Sequence, residues 1–154
     1  MNTVMIQKGL KENFDQITRE VTEWAAGICL CQGDSFPTGD LCTVYVAFER
    51  GIQTSVSFCA EASLFMRLTR FLLQAEELTF QDVEDSSKEY FNILCGYFAA
   101  QMFQMTKVPL RFGIPVFYPG RYVPEGYGEE FVICYTSDRN ENAQLIYYTP
   151  QIVV

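Results

Sequence analysis

The 154-residue chain contains no histidine. That removes imidazole acid–base catalysis, phosphohistidine transfer and the commonest zinc ligand together. It also has no C-x-x-C pair. The six cysteines, Cys29, Cys31, Cys42, Cys59, Cys95 and Cys134, mostly sit inside apolar runs. They read as small buried hydrophobes in a reduced compartment, not as a disulfide framework. Lysine and arginine number 11 against 19 acids, giving a net charge of −8 without any basic cluster. Nucleic acid is therefore not an expected partner. The N-terminal stretch lacks an apolar h-region, and the most apolar helix carries Asn92 and Gln101 and is too short to span a bilayer. A cytoplasmic protein without membrane contact is expected. No nucleophile–base pair, phosphate loop or metal cluster stands out, which leaves a small-molecule enzyme without support.

What is present is a hydrophobic content of 49% against 19% charged residues, enough for one folded domain over residues 1–154. Residues 3–26 form an amphipathic helix in which Leu10, Phe14, Ile17, Val21 and Trp24 draw a core-facing stripe, with Gly27 as its C′ residue. A short strand is expected in ICLCQ. The stretch LCTVYVAFE then alternates, with Val44, Val46 and Phe48 on one face. Its hairpin partner sets Ile52, Thr54, Val56 and Phe58 against Gln53, Ser55 and Ser57, which predicts one buried face. A helix over about residues 61–74 turns Leu64, Phe65, Leu68, Phe71 and Leu72 inward and leaves Arg67 and Arg70 solvated. The acidic segment AEELTFQDVED reads as a solvated connection, because its carboxylates lack EF-hand spacing. Beyond the next helix, VPLRFGIPVFY, EEFVICYTS and AQLIYYTP read as three strands. The tyrosines crowd this half, where an amphipathic ring suits a half-exposed sheet face. Helix-plus-three-strands occurs twice, with an extra helix between, which suggests a diverged internal duplication.

The chain is organised around Asp85 to Pro115. At about 100° per residue, Asp85, Glu89, Asn92, Ile93 and Gly96 fall on one stripe of a helix. Phe91, Leu94, Cys95, Phe98, Met102 and Met105 fall opposite, as a core face. Gly96 flattens the polar stripe, so a second macromolecule could approach the backbone closely. Ser86-x-x-Glu89 reads as a capping box starting this helix, with Asp85 favourable to the helix dipole. On that reading alone Asn92 is a solvated helix residue and Pro115 an edge-strand proline.

The spacing Asp85-x3-Glu89-x2-Asn92-x22-Pro115 resembles the D/S-x3-E-x2-N-x22-P signature of the CheC/CheX/FliY chemotaxis phosphatases, with no insertion or deletion. Gly96 and the GIPVFYPG segment are similar too. CheC-like members carry the motif twice and CheX-like members once; residues 3–26 have no E-x-x-N, so the chain looks closer to CheX. The resemblance implies an α+β fold, a mostly antiparallel sheet of about six strands with three helices on one face. It implies hydrolysis of the aspartyl-phosphate of a CheY-type response regulator, with Asn92 orienting the attacking water and Glu89 pairing with the regulator's lysine. A side-chain amide suits that task, since it can hold a water without acting as a base. Asp85, Gly96 and Pro115 would be supporting residues. No cofactor or metal of its own is implied; Mg²⁺ belongs to the regulator. Tyr90 lies on the flank and would narrow access. A homodimer is expected, from the single-motif resemblance and from the apolar IVV terminus as a pairing edge. A non-catalytic docking module of the same fold is the alternative.

Overall fold

The computed structural model describes residues 3–50 and 53–151. The elements in order are α1 (Thr3–Ala26), β1 (Leu30–Gln32), β2 (Leu41–Arg50), β3 (Ser55–Glu61), α2 (Ala62–Leu73), α3 (Phe80–Thr106), β4 (Arg111–Phe112), β5 (Val116–Pro119), β6 (Tyr127–Ser137) and β7 (Asn142–Pro150). All strand pairs are antiparallel, in the order β1-β6-β7-β3-β2-β4, with β5 on the same edge of β2 as β4. The sheet thus has six positions, served by seven strands. The expected strand VPLRFGIPVFY is broken in two, where Gly113 donates its N–H to the Ala47 carbonyl at 2.8 Å before Pro115. Proline has no N–H for a ladder, so the interruption falls where pairing would fail anyway.

The order β1-β6-β7-β3-β2-β5 reads the same when β1, β2, β3 are exchanged for β5, β6, β7 and the sheet is reversed. The axis of that exchange passes between β3 and β7, which pair from Ser55↔Tyr148 to Ala60↔Ala143. α1 and α3 pack against each other beside it, with Phe14 stacked on Phe98 at 4.0 Å. Topology therefore supports the duplication that the element order suggested.

The helices contribute Leu10, Phe14, Val21, Leu64, Phe65, Leu68, Phe91, Leu94 and Phe98 to a core against Val44, Val46, Phe48, Val56 and Phe58. Several expectations need correction. β3 is buried on both faces, because Ser55 and Ser57 are as covered as Val56 and Phe58. The second face is closed by Tyr45, Ile146 and Tyr148, onto which Tyr118, Tyr122 and Tyr127 fold. Tyr118 and Tyr122 lie parallel at 4.0 Å; Tyr118, Tyr122 and Tyr127 stay half-exposed, as expected, while Tyr45 and Tyr148 beneath them form a second small core. Phe71 is 44% exposed; its ring instead lies over Gly27, where a Cβ would meet it at 2.5 Å and where φ is +66°. Glycine is demanded there twice over. Arg67 is not solvated: it pairs with Asp138 and, at 3.5 Å, with Glu141, clamping α2 to the β6–β7 turn. Cys29 and Cys31 are exposed, whereas Cys42, Cys59 and Cys95 are buried.

The chain-end pairing rationale also changes. β7 lies between β6 and β3, so the sheet edges are β1 and β4–β5; Ile52 and Ile152–Val154 lie outside the described residues. Among those described, no helix is long and apolar enough to cross a membrane.

Candidate functional site

Helix α3 starts seven residues earlier than the Ser86 cap would place it. Thr79, with extended backbone (φ −92°, ψ 164°), accepts from the Asp82 N–H at 3.1 Å, and the Asp82 carboxylate accepts from the Thr79 N–H at 2.9 Å. This reciprocal pair satisfies two of the orphan donors at the helix start. Ser86 is therefore buried within the helix, and the C-terminal part of the acidic connection is its first two turns. Asp85 caps nothing; its carboxylate accepts from the Gln81 amide at 2.8 Å.

From Ser86 onward the helix alternates in pairs. Ser86 and Ser87, Tyr90 and Phe91, Leu94 and Cys95 are buried, and the residues between them are not. With 3.6 residues per turn this leaves Glu89, Asn92 and Gly96 on the outward stripe. Both Glu89 and Asn92 are exposed, one turn apart at i and i+3, where side chains are neighbours.

The rotation of the helix is fixed by Tyr90. Its ring is fully buried, edge-on to Phe58 at 5.9 Å, and its hydroxyl shares a 2.7 Å hydrogen bond with Thr22 of α1. Burial pushes the phenol well above its ordinary range, against a smaller downward pull from Thr22. Tyr90 therefore does not narrow access to the stripe. It is an anchor that the sequence pattern concealed, because a tyrosine beside Glu89 on a helical wheel reads as a flank residue.

The charges around the stripe are partly neutralised within the helix. Lys88 reaches Glu84 at 3.6 Å, and Gln81 donates to both Glu84 and Asp85. Glu89 and Asn92 make no side-chain hydrogen bond or ion pair with any described residue. A carboxylate and an amide are thus held outward by a rigid helix with their hydrogen-bonding capacity unused. An added Cβ on Gly96 would meet nothing within 4 Å. Packing within the chain gives no reason for glycine in a helix interior, where it costs about 0.5–1 kcal/mol relative to alanine.

Pro115 is buried. The segment that carries it runs alongside α3: Leu110 shares a cleft with Ala99 and Phe103, and Phe117 packs edge-on to Phe80 at 6.0 Å. Pro115 lies between those ends, on the flank of the helix that carries Glu89 and Asn92. Among the described residues no group of three or more Cys, Asp or Glu is placed to hold a metal ion.

The family model described as chemotaxis phosphatase CheX matches residues 42–135, a span that includes Asp85, Glu89, Asn92, Gly96 and Pro115. No curated protein matches the chain by sequence. Solved structures share its fold at low identity. A chemotaxis protein CheX from Desulfovibrio desulfuricans aligns with TM-score 0.73 and 15% identity over 90% of this chain and 97% of its own. The CheX of a CheX–CheY–BeF₃–Mg²⁺ complex from Borrelia burgdorferi aligns with TM-score 0.71 and 15% identity, over 93% and 98%. FliY from Thermotoga maritima aligns with TM-score 0.65 and 11% identity, over 95% and 88%.

Proposed function

The chain belongs to the chemotaxis phosphatase CheX family, and from that premise we propose that it hydrolyses the aspartyl-phosphate of a CheY-type response regulator. The observation that carries the reading is the pair Glu89 and Asn92, outward and without partners on a helix whose rotation Tyr90 locks. The relative from Borrelia burgdorferi, solved with CheY, BeF₃ and Mg²⁺, supports a receiver domain as the partner.

The chemistry asks little of this chain. The substrate brings the phosphoaspartate and its Mg²⁺; what is missing is a water held in line with the phosphorus–oxygen bond. Asn92 supplies an amide whose oxygen and NH₂ orient that water without removing its proton. Glu89, free of any pairing within the chain, meets a lysine of the receiver and sets the docking register. Gly96 lets the receiver come against the helix backbone, and Pro115 shapes the adjoining segment. Asp85 supports the stripe only through the hydrogen bond it accepts from Gln81. The protein needs no cofactor of its own and works in the cytoplasm as a homodimer paired through β1 or β4–β5, the open edges.

The test mixes the purified protein with phosphorylated CheY-type regulators from the same organism and follows phosphate loss. Acceleration over the regulator's own decay that Asn92→Ala abolishes supports the assignment. Acceleration that survives Asn92→Ala would falsify it. Tight binding without acceleration leaves a docking module. Light scattering at tens of micromolar reads the dimer; a monomer mass removes it.

A further inference from the structure

The stripe that carries Glu89 and Asn92 does not end at Gly96. In steps of three and four it continues through Ala100 and Phe103, both exposed, Phe103 to 45%. Ala99, Ala100, Phe103, Pro109 and Leu110 line a shallow cleft of about 380 Å³. On the opposite flank Tyr97 and Trp24, 50% and 55% exposed, meet edge-on at 6.1 Å. Trp24 is expected in the core from its place on the α1 stripe; it stands in solvent instead, bridging to α3. The outward face of α3 is therefore divided. Its N-terminal half is acidic and polar, and its C-terminal half is mainly apolar, with Gln104 as the exposed polar side chain between Ala100 and Tyr97.

Contiguous exposed apolar surface of this kind marks an interaction site, and tryptophan and tyrosine are the side chains most enriched where binding energy concentrates. The occupant follows from geometry. Ala100 lies eight residues beyond Asn92, ~12 Å along the axis. A specific interface covers ~800 Å² per partner, a disc of ~16 Å radius. A receiver seated with its phosphoaspartate at Asn92 therefore also covers Ala100 and the cleft beside it. We propose that this C-terminal half of the α3 face is the affinity-determining part of the receiver-docking surface: an apolar side chain of the receiver enters the cleft beside Ala100, and Trp24–Tyr97 closes the other border. The proposal rests on the phosphatase reading and divides its labour: Asn92 acts at the phosphoryl group and Glu89 sets the register, while Ala100, Phe103, Tyr97 and Trp24 supply most of the affinity.

The test is Ala100→Arg, at an exposed helix position where arginine is a good helix former, so the fold is retained; an unchanged melting temperature verifies this. The probe is a CheY-type receiver of the same organism loaded with beryllofluoride and Mg²⁺, its binding followed by fluorescence anisotropy. Affinity is expected to fall about 10- to 100-fold, the range for blocking a central contact. In turnover the loss should fall on the receiver concentration giving half-maximal rate, and not on the rate at saturation. Asn92→Ala should show the opposite split. Wild-type affinity in Ala100→Arg overturns the proposal and leaves the phosphatase reading standing. So does a loss confined to self-association, which would assign the face to a second copy of this chain. If the wild type neither binds nor dephosphorylates any such receiver, the phosphatase reading fails first, and this inference with it.

Discussion

Helix α1 with β1–β3 and helix α3 with β4–β7 occupy equivalent places about the β3–β7 axis, yet their outward polar residues are employed differently. On α1, Arg19 pairs with Asp15 at 3.0 Å, and the same carboxylate oxygen accepts the Tyr135 hydroxyl at 2.8 Å. The Arg19 guanidinium lies 5.9 Å from the centre of the Tyr135 ring. Burial and the neighbouring Asp15 push the Tyr135 phenol upward, so it stays a hydrogen-bond donor. One residue on, Gln16 donates to Glu20 at 3.0 Å. The Asp15–Arg19 part of the polar face of α1 is thus bonded to itself and to β6. On α3 the corresponding capacity, Glu89 and Asn92, is left open beside a glycine that nothing in the chain requires. In one half Asp15 and Arg19 serve as a joint to the sheet; in the other Glu89 and Asn92 make no bond to any described residue.

The largest expected effect comes from breaking the seam between the halves. Phe14, on α1, stacks on Phe98 and stands edge-on to Phe131 and Tyr147, so it joins the first half to three elements of the second. Phe14→Ala should cost about 3–5 kcal/mol by denaturant unfolding and retain a single transition. Two separated transitions in this variant would show that the halves are not one cooperative unit.

Next is the asymmetry of function. Asn92→Ala should lower the phosphatase rate about 10- to 1000-fold without lowering the melting temperature, since its side chain is exposed and makes no hydrogen bond with a described residue. Gln16→Ala, on the helix of the other half, should leave the rate alone. Equal losses from both variants would mean that the first half also carries chemistry.

Smaller again is the lock that aims the site. Tyr90→Phe leaves the Thr22 hydroxyl buried without its partner, at a cost of about 1–3 kcal/mol. The rate should drop less than in Asn92→Ala, because the ring still fills its place. Unchanged stability would show that the 2.7 Å contact with Thr22 contributes nothing to fixing the helix.

The smallest effect has the opposite sign. Gly96→Ala should raise stability by about 0.5–1 kcal/mol while weakening binding to the beryllofluoride-loaded receiver. A stabilised variant that binds as the wild type does would remove close approach as the reason for this glycine.

Some of this was legible in the chain and some was not. The outward stripe was legible, because a helical period of 3.6 turns the spacing of Glu89, Asn92 and Gly96 directly into a shared face. The same holds for the inward face of α3, for Leu64, Phe65 and Leu68 of α2, and for the order of the elements. The helix start was not. T-x-x-D at Thr79 and S-x-x-E at Ser86 are both capping boxes on paper. Val83 packs against the main core, and Phe80, still 64% exposed, meets Phe117 edge-on, so the earlier start gains apolar contacts that the later one would forgo. Periodicity also misplaced Trp24 and Phe71, which lie on apolar stripes wider than the surface the sheet offers. It missed the second buried face of β3, because alternation cannot foresee that Tyr118 and Tyr122 fold back over the sheet. Arg67 was hidden for the same reason: its partners Asp138 and Glu141 are some seventy residues away. The sequence by itself determined the elements and the direction of the candidate site, since those follow from local periods. Only the tertiary structure decided which cap is used, which tyrosine is an anchor and which aromatics stay in solvent, because each depends on surfaces that distant segments bring together.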